Sequence, residues 1–188
     1  MRYFLIFTIL VLVSLINFDI YTPQNNYQTN NQTFKDQVKL QTKNERGDKL
    51  STQETYLVTR VIDGDTIIVL IDGEEKTVRY IGIDTPETVR QLKPVECFGQ
   101  EASVRNKELV LGKMIRLIKD VSETDQYGRL LRYVYLDDEF INLSLVQGGF
   151  ANAYSYPPDV KYTKLFKQAE QEARATKTGL WGNKCHDN

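Results

Sequence analysis

Carboxylates cluster in two short polar segments of this sequence. Asp63 and Asp65 stand in DGDT, and Asp84, Thr85 and Glu87 stand in DTPE. Carboxylate and carbonyl oxygens, without histidine or cysteine, are the hard ligands that Ca²⁺ and Mg²⁺ prefer. The two segments therefore predict a metal site, provided that folding brings them together at one rim of a sheet. DGD alone is a weak signal, because Asp-Gly turns are common.

Two arginines accompany these acids. Arg79 lies in the apolar stretch that leads to Asp84, and Arg129 closes the segment DQYGR. In phosphodiester hydrolysis the phosphoryl oxygens gain negative charge in the transition state, which a fixed cation and guanidinium donors stabilise. Glu87 has the chemistry to orient or deprotonate the attacking water. The combination predicts a hydrolytic site for nucleic acid, whereas either arginine alone would be an ordinary surface ion-pair partner.

Tyrosines near these residues predict a surface that holds the substrate. Tyr127 stands two positions before Arg129, and Tyr154 and Tyr156 occur in AYSYPP. Tyrosine rings stack on bases, and their hydroxyl groups donate hydrogen bonds to phosphate. The alternative is that they are half-buried core tyrosines. Lys93 is either a further phosphate contact or a solvated lysine.

The overall charge limits how a polyanion could bind. The 188 residues include 24 basic and 25 acidic ones, so that the formal net charge is −1. This chain is therefore not a strongly basic protein that attracts nucleic acid over long distances. A nucleic-acid site in this chain has to be a local cluster of Arg, Lys and Tyr.

The N-terminal segment indicates export. Arg2 precedes the largely apolar run 4–18, which has the length of a signal-peptide core and falls short of the about 20 residues that a membrane span needs. No small-residue cleavage site follows it, so a cleaved signal peptide and an uncleaved membrane anchor both remain open for residues 1–21. Residues 22–54 are rich in Asn, Gln, Thr and Lys and are predicted to be a disordered tether. The folded domain is then 55–188.

Two cysteines are present, Cys97 and Cys185. In an exported chain an even pair favours a disulfide, and two unrelated thiols are the alternative. The single histidine, His186, stands near the end of the chain, and no metal-ligand spacing surrounds either cysteine. A zinc site is therefore not expected.

The segments that must position these residues are predicted to be mainly strands in the first part of the domain and mainly helices in the last part. β-Branched runs separated by Asp-Gly turns predict strands at 55–62, 66–71, 76–83, 114–121 and 130–136. Apolar residues at helical spacing predict helices at 98–112, 140–149 and 161–177. Five strands with one helix between the third and fourth and two helices after the fifth predict an α+β fold, a five-stranded OB-fold β-barrel with three α-helices.

The ordered segments VIDGDT, VRYIGIDTPET, FGQEAS, DQYGR and GLWG resemble the thermonuclease family of staphylococcal nuclease type, over residues 56–183. DGDT, RxxxxDTPE and DxYGR are far more specific together than separately. The resemblance implies an OB barrel and a Ca²⁺-dependent phosphodiesterase that acts on DNA and RNA. Such enzymes break the 5′ P–O bond and leave 3′-phosphates.

The resemblance also assigns roles by position. It gives Ca²⁺ binding to Asp65, Asp84 and the Thr85 carbonyl, catalysis to Arg79, Glu87 and Arg129, and substrate binding to Lys93, Tyr127, Tyr154 and Tyr156. Asp63 matches a turn residue outside the metal set. The best-known member of the family is strongly basic, carries a lysine where this chain has Gln126, and lacks cysteines. Weaker attraction for the polyanion is therefore expected here.

The expected partners are single-stranded and locally melted DNA, and RNA. No protein partner is implied, and a monomer is expected. Two other kinds of function compete: a non-catalytic OB-fold module that binds single-stranded nucleic acid, and a structural domain with solvated charged turns. Degenerate modules of this type lose the acids and arginines, whereas all six metal and catalytic positions are present here. This favours the nuclease.

Overall fold

The computed structural model of the protein describes residues 54–88, 96–182 and 185. The predicted signal or anchor segment 1–21, nearly all of the predicted tether 22–54, and Lys93 lie outside the described residues. The described elements are numbered here in chain order. They are β1 (Thr55–Val61), β2 (Thr66–Ile71), β3 (Glu74–Tyr80), β4 (Ile83–Asp84), α1 (Gly99–Val110), β5 (Met114–Ile118), β6 (Leu130–Leu136), β7 (Glu139–Phe140), α2 (Ile141–Gln147), β8 (Asn152–Ala153) and α3 (Thr163–Ala175).

Five strands close into a barrel. β1 pairs antiparallel with β2 and β5, β2 pairs with β3, and β5 pairs with β6. The closing contact is parallel, and it sets Val78 of β3 opposite Leu130 of β6. Closure leaves these five strands without an unpaired edge in the sheet. The predicted α+β fold, an OB-type barrel with three helices, is confirmed.

The helices bury the faces that their sequence periodicity predicts. In α1 the buried apolar side chains are those of Ala102, Leu109 and Val110, and the chain leaves the helix through Gly112 at a φ of 71°. In α3, Phe166 is buried together with its neighbours at helical spacing. Phe166 packs in an aromatic cluster that joins the helices to the barrel. Its other members are Tyr133, Phe140 and Tyr162.

The third strand ends earlier than predicted, at Tyr80 instead of residue 83. Gly82 adopts a φ of 81°, and a Cβ added there would lie 2.3 Å from the Phe166 ring. The chain therefore turns at Gly82, and Ile83 and Asp84 form the short strand β4, which pairs with β8 in a separate two-stranded sheet. The two-residue strands were not predicted, because two residues show no periodicity.

A disulfide joins Cys97 to Cys185, with Cα atoms 5.8 Å apart. The two residues are 88 positions apart in the sequence. The prediction that these two cysteines pair is confirmed. Within the described part of the chain, no helix is long and apolar enough to cross a membrane.

Candidate functional site

The DGDT turn between β1 and β2 sets the position of Asp65. The backbone N–H of Asp63 donates to the Thr66 carbonyl at 3.3 Å, and the backbone N–H of Asp65 donates to Asp63 Oδ1 at 3.0 Å. Gly64 lies against Thr85 so closely that an added Cβ would be 2.7 Å from that side chain. Glycine is needed here because the turn packs directly on the segment that follows β4.

Asp65 is buried, with 4% of its surface exposed, and its carboxylate is held by several donors. The Thr85 backbone N–H donates to Oδ2 at 2.8 Å, and the Thr66 hydroxyl donates to Oδ1 at 3.2 Å. The Arg79 guanidinium forms an ion pair with Oδ1. Charge-assisted bonds of this kind compensate the burial of a carboxylate and fix its orientation.

Arg79 connects the two polar segments that the sequence singles out. Its Nη2 donates to Asp84 Oδ1 at 2.6 Å, while its Nη1 contacts Asp65 Oδ1. The Arg79 side chain is largely buried, whereas about half of the Asp84 side chain is exposed. One guanidinium therefore reaches both predicted metal carboxylates, and the structure brings Arg79, Asp65 and Asp84 together.

The donor chemistry at this point fits a hard divalent cation. Asp65 and Asp84 present carboxylate oxygens toward one positive group, and the Thr85 backbone is bonded to one of those carboxylates. Two carboxylates, a carbonyl and water are ligands that Ca²⁺ accepts, because it takes 6–8 oxygens in flexible geometry. Among the described residues, no group of three or more His, Cys, Asp and Glu side chains could hold a metal ion. A Ca²⁺ site here depends on backbone and water oxygens beside the two acids.

Arg129 is fixed by Asp125, a residue that the sequence analysis did not single out. Arg129 Nε donates to Asp125 Oδ2 at 2.6 Å, and the backbone N–H groups of Tyr127 and Arg129 donate to Asp125 Oδ1 at 2.9 and 3.0 Å. Burial alone raises the pKa of the Asp125 carboxyl, but these hydrogen bonds outweigh it and leave the pKa below its ordinary value. The Asp–Arg spacing of four residues in DQYGR was the available signal.

A cavity of about 340 Å³ opens between the β3 end and the DQYGR turn. Both predicted arginines and all three predicted tyrosines are among the residues that line it. Tyr127, Tyr154 and Tyr156 are 75%, 52% and 67% exposed, which excludes the alternative that they are core tyrosines. The Arg129 guanidinium lies over the Tyr127 ring, 5.4 Å from its centroid. The cavity offers exposed rings and two guanidinium groups to a polyanion.

Glu87 stands three positions beyond Asp84 and is not among the residues that line this cavity. Its backbone is bonded to Glu96: Glu87 N–H donates to Glu96 Oε2 at 3.2 Å, and Glu96 N–H donates to the Glu87 carbonyl at 3.0 Å. Lys93 falls between these two residues, outside the described ones. The structure therefore places Glu87 on the segment adjoining Asp84 and Thr85.

Three further polar residues support the site, and two of them, Asn106 and Asp159, belong to none of the motifs that the sequence singles out. Asn106, fully buried in α1, accepts from the Tyr80 hydroxyl at 2.9 Å and donates to the Asp63 carbonyl at 3.0 Å. Asp159 borders the cavity, and its Oδ1 accepts from the backbone N–H groups of Val121 and Ser122. For Asp63, burial raises the pKa of the carboxyl above its ordinary value, and hydrogen bonds and arginine charges oppose that shift only in part.

Comparison with known proteins gives consistent matches over this region. The model of the family described as "Staphylococcal nuclease homologue" matches residues 77–183. The thermonuclease of Staphylococcus intermedius is 47% identical over 128 residues, which are 68% of this chain and 76% of that protein. The thermonuclease of Staphylococcus hyicus is 44% identical over 133 residues, 71% of this chain and 79% of that protein. Endonuclease YncB of Bacillus subtilis is 42% identical over 147 residues, covering 75% and 70% of the two chains.

Proposed function

The chain belongs to the staphylococcal nuclease homologue family and is a nuclease, and on that premise we propose that it is an exported, Ca²⁺-dependent phosphodiesterase. Its proposed substrates are single-stranded and locally melted DNA, and RNA. The proposed cleavage breaks the 5′ P–O bond and leaves 3′-phosphate ends. The enzyme acts as a monomer and needs no protein partner.

One observation supports this function most directly. Arg79 contacts both acids of the proposed metal set and also lines the cavity that holds Arg129 and the three exposed tyrosines. A phosphodiester group in that cavity would meet the exposed tyrosines, Arg129 and Arg79, and Arg79 is the link to the two acids, which do not themselves line the cavity. No long-range basic field is needed for such binding, because the cationic groups are local.

In the proposed mechanism, Asp65, Asp84 and the Thr85 carbonyl hold Ca²⁺. When bound, the ion supplies a fixed positive charge that stabilises the charge developing on the phosphoryl oxygens. Arg79, which is paired with both acids, would donate from its guanidinium to the phosphate.

The remaining steps are carried out by the two arginines and Glu87, while the three tyrosines and Lys93 bind the substrate. Arg79 and Arg129 donate to the phosphoryl oxygens, where a planar guanidinium matches two oxygens at once. Glu87 accepts a proton from the water that attacks phosphorus, and the P–O5′ bond breaks as the new P–O bond forms. The 5′ oxygen takes a proton from solvent water and leaves as a hydroxyl group, and Glu87 returns its proton to solvent. Tyr127, Tyr154 and Tyr156 receive the nucleotide by stacking and by hydroxyl donation. Lys93 supplies an additional phosphate contact.

Export is proposed from the N-terminal sequence and from the disulfide. Residues 1–21 act as the signal or as an uncleaved anchor, residues 22–54 as the tether, and 55–188 as the nuclease domain. The Cys97–Cys185 bridge supports an oxidising destination, because disulfides rarely persist in the cytosol. Mass spectrometry of the protein from the culture medium and from the membranes identifies its N-terminal residue in each fraction. That residue distinguishes a cleaved signal peptide from an uncleaved anchor. Full-length protein confined to the cytosol would refute export.

Cleavage of a single-stranded DNA oligonucleotide by the purified chain tests the activity. We expect cleavage in Ca²⁺, none after addition of a Ca²⁺ chelator, and products that a polymerase extends only after phosphatase treatment. Glu87→Gln should lower kcat by about 10²–10⁴-fold. Glu108→Ala, at an exposed acid of α1, is the matched control and should cleave normally. Binding of the oligonucleotide without any cleavage in Ca²⁺ would favour the non-catalytic single-strand-binding module instead.

A further inference from the structure

The backbone of Glu87 is held on both sides by one residue. Its N–H donates to Glu96 Oε2 at 3.2 Å, and its carbonyl accepts from Glu96 N–H at 3.0 Å. The N–H and the carbonyl of Glu87 belong to the two planar peptide groups that flank its Cα. Fixing both peptide groups fixes the direction of the Cα–Cβ bond, and so the starting direction of the Glu87 side chain.

The first turn of α1 presses against the same backbone. Gly99 N–H donates to the Glu96 carbonyl at 3.0 Å. A Cβ added to Gly99 would lie 2.8 Å from the Glu87 carbonyl oxygen and 3.0 Å from that of Pro86. The helix therefore approaches Glu87 as closely as a glycine allows, and Glu96 is hydrogen-bonded both to Gly99 and to Glu87.

Two tertiary contacts anchor the residues that follow Glu96. Cys97 is joined by its disulfide to Cys185, at the other end of the domain sequence. Phe98 has a φ of 70°, a left-handed conformation that bulky residues rarely adopt and that persists where the surroundings enforce it. The Phe98 ring packs on Phe150, with centroids 5.5 Å apart. The segment that bears Glu96 is thus held in place by contacts with two residues of the C-terminal half of the chain, Phe150 and Cys185.

We propose that Glu96 is a positioning residue for Glu87, and that the Cys97–Cys185 disulfide keeps Glu96 in the place from which it does so. The effect on turnover rests on the proposed nuclease function, whereas the effect on the Glu87 backbone does not. In the part of the chain that the structure describes, Glu96 is not among the residues that line the cavity. Its loss should therefore lower kcat and leave KM nearly unchanged.

Three variants separate positioning from general stability. Glu96→Ala removes the acceptor, Glu96→Gln keeps an acceptor oxygen without the charge, and the double variant Cys97→Ser/Cys185→Ser removes the anchor. Glu108→Ala, on the exposed side of α1, changes the charge equally without touching Glu87. Each is measured for kcat and KM on a single-stranded DNA oligonucleotide in Ca²⁺, and for hydrogen exchange of the Glu87 amide by NMR without substrate.

For Glu96→Ala we expect kcat to fall about 10- to 100-fold, because small misplacement of a catalytic group is costly. The Glu87 amide should exchange about five-fold faster, as expected when one hydrogen bond is lost. Glu96→Gln should restore both quantities to within about three-fold of the unmodified protein. The double serine variant should shift both quantities in the direction of Glu96→Ala, and Glu108→Ala should shift neither.

Unchanged kcat and unchanged Glu87 exchange in Glu96→Ala would overturn the proposal. So would a Glu96→Gln variant as impaired as Glu96→Ala, or a variant that loses only thermal stability. Normal behaviour of the double serine variant would overturn the role of the disulfide. If the unmodified protein cleaves no DNA, the proposed function has failed, and Glu87 exchange alone decides whether Glu96 positions Glu87.

Discussion

Arg79 Nη2 donates to Asp84 Oδ1 across 2.6 Å, although the two residues belong to different sheets. The same guanidinium contacts the buried Asp65, so one cationic side chain is paired with two acids. The three residues therefore form one electrostatic unit. If the proposed divalent ion binds there, we expect it to compete with Arg79 for the carboxylate oxygens.

Arg79→Ala tests this unit through stability. Without Ca²⁺ the variant leaves the buried Asp65 carboxylate without its cationic partner, although two neutral donors remain, and the free energy of unfolding should fall by roughly 3 kcal/mol. Ca²⁺ should raise the Tm of the variant more than that of the unmodified protein, because the ion replaces the lost charge. Urea unfolding with and without Ca²⁺ measures both effects.

The control for this prediction is Arg105→Ala, which removes an exposed pair with Glu108 and should cost under about 1 kcal/mol. Equal stability of Arg79→Ala and the unmodified protein in chelator would show that Arg79 does not balance Asp65. An equal Ca²⁺ response in both would show that the ion binds elsewhere.

Asp125→Asn tests how Arg129 is held. The amide cannot form the charged bond to Arg129 Nε, although it keeps an oxygen for the backbone donors of the turn. We expect kcat to fall about ten-fold or more, since a loosened guanidinium stabilises the transition state less well. Asp72→Asn, in the hairpin turn between β2 and β3, makes the same chemical change outside the cavity lining; it is the control and should retain kcat. Normal kcat in Asp125→Asn would remove Asp125 from the catalytic support.

Asp159→Asn tests how the free energy of unfolding changes at acidic pH. Burial by itself raises the pKa of the Asp159 carboxyl, but hydrogen bonds from Ser122 and the Val121 N–H outweigh it and lower the pKa below the ordinary value. A carboxyl with a lowered folded-state pKa stabilises the fold above the unfolded-state pKa of about 3.9, and this stability is lost as the pH falls through the folded-state pKa. The unmodified protein should therefore lose unfolding free energy below about pH 4 more steeply than Asp159→Asn.

Thermal melts between pH 7 and pH 2 measure that difference. Asp72→Asn, in the hairpin turn between β2 and β3, makes the same change of net charge and should follow the unmodified protein. Turn chemistry is preserved in this control, because Asn and Asp both suit an Xaa-Gly hairpin turn. Parallel acid curves for Asp159→Asn and the unmodified protein would contradict the prediction.

Removal of the Cys97–Cys185 bridge should destabilise the domain. The disulfide closes a loop of 88 residues, which lowers the entropy of the unfolded chain and stabilises the fold by roughly 4 kcal/mol. Reduction of the bridge or the double serine variant should therefore lower the urea midpoint of unfolding markedly. The unmodified protein should show no reactive thiol in denaturant before reduction and two after it. Two thiols before reduction would mean that the bridge is absent in solution.

The sequence alone predicted most of the secondary structure and most of the residues of the candidate site. The β-branched runs and apolar helical spacings placed five barrel strands and three helices within a few residues of their observed bounds, because both are local patterns along the chain. The disulfide followed from an even pair of cysteines in a chain whose N-terminal segment predicts export. DGDT, DTPE and DQYGR identified the acids and arginines by type and spacing.

Only the tertiary structure decided how those residues engage one another. The early end of β3 depends on Phe166, 84 positions beyond Gly82 in the chain, and this break sends Asp84 into a separate sheet where Arg79 still reaches it. The bonds between Glu87 and Glu96 likewise depend on the seating of α1 through Gly99. No local pattern encodes such contacts, because they arise from close packing between segments that are far apart in sequence.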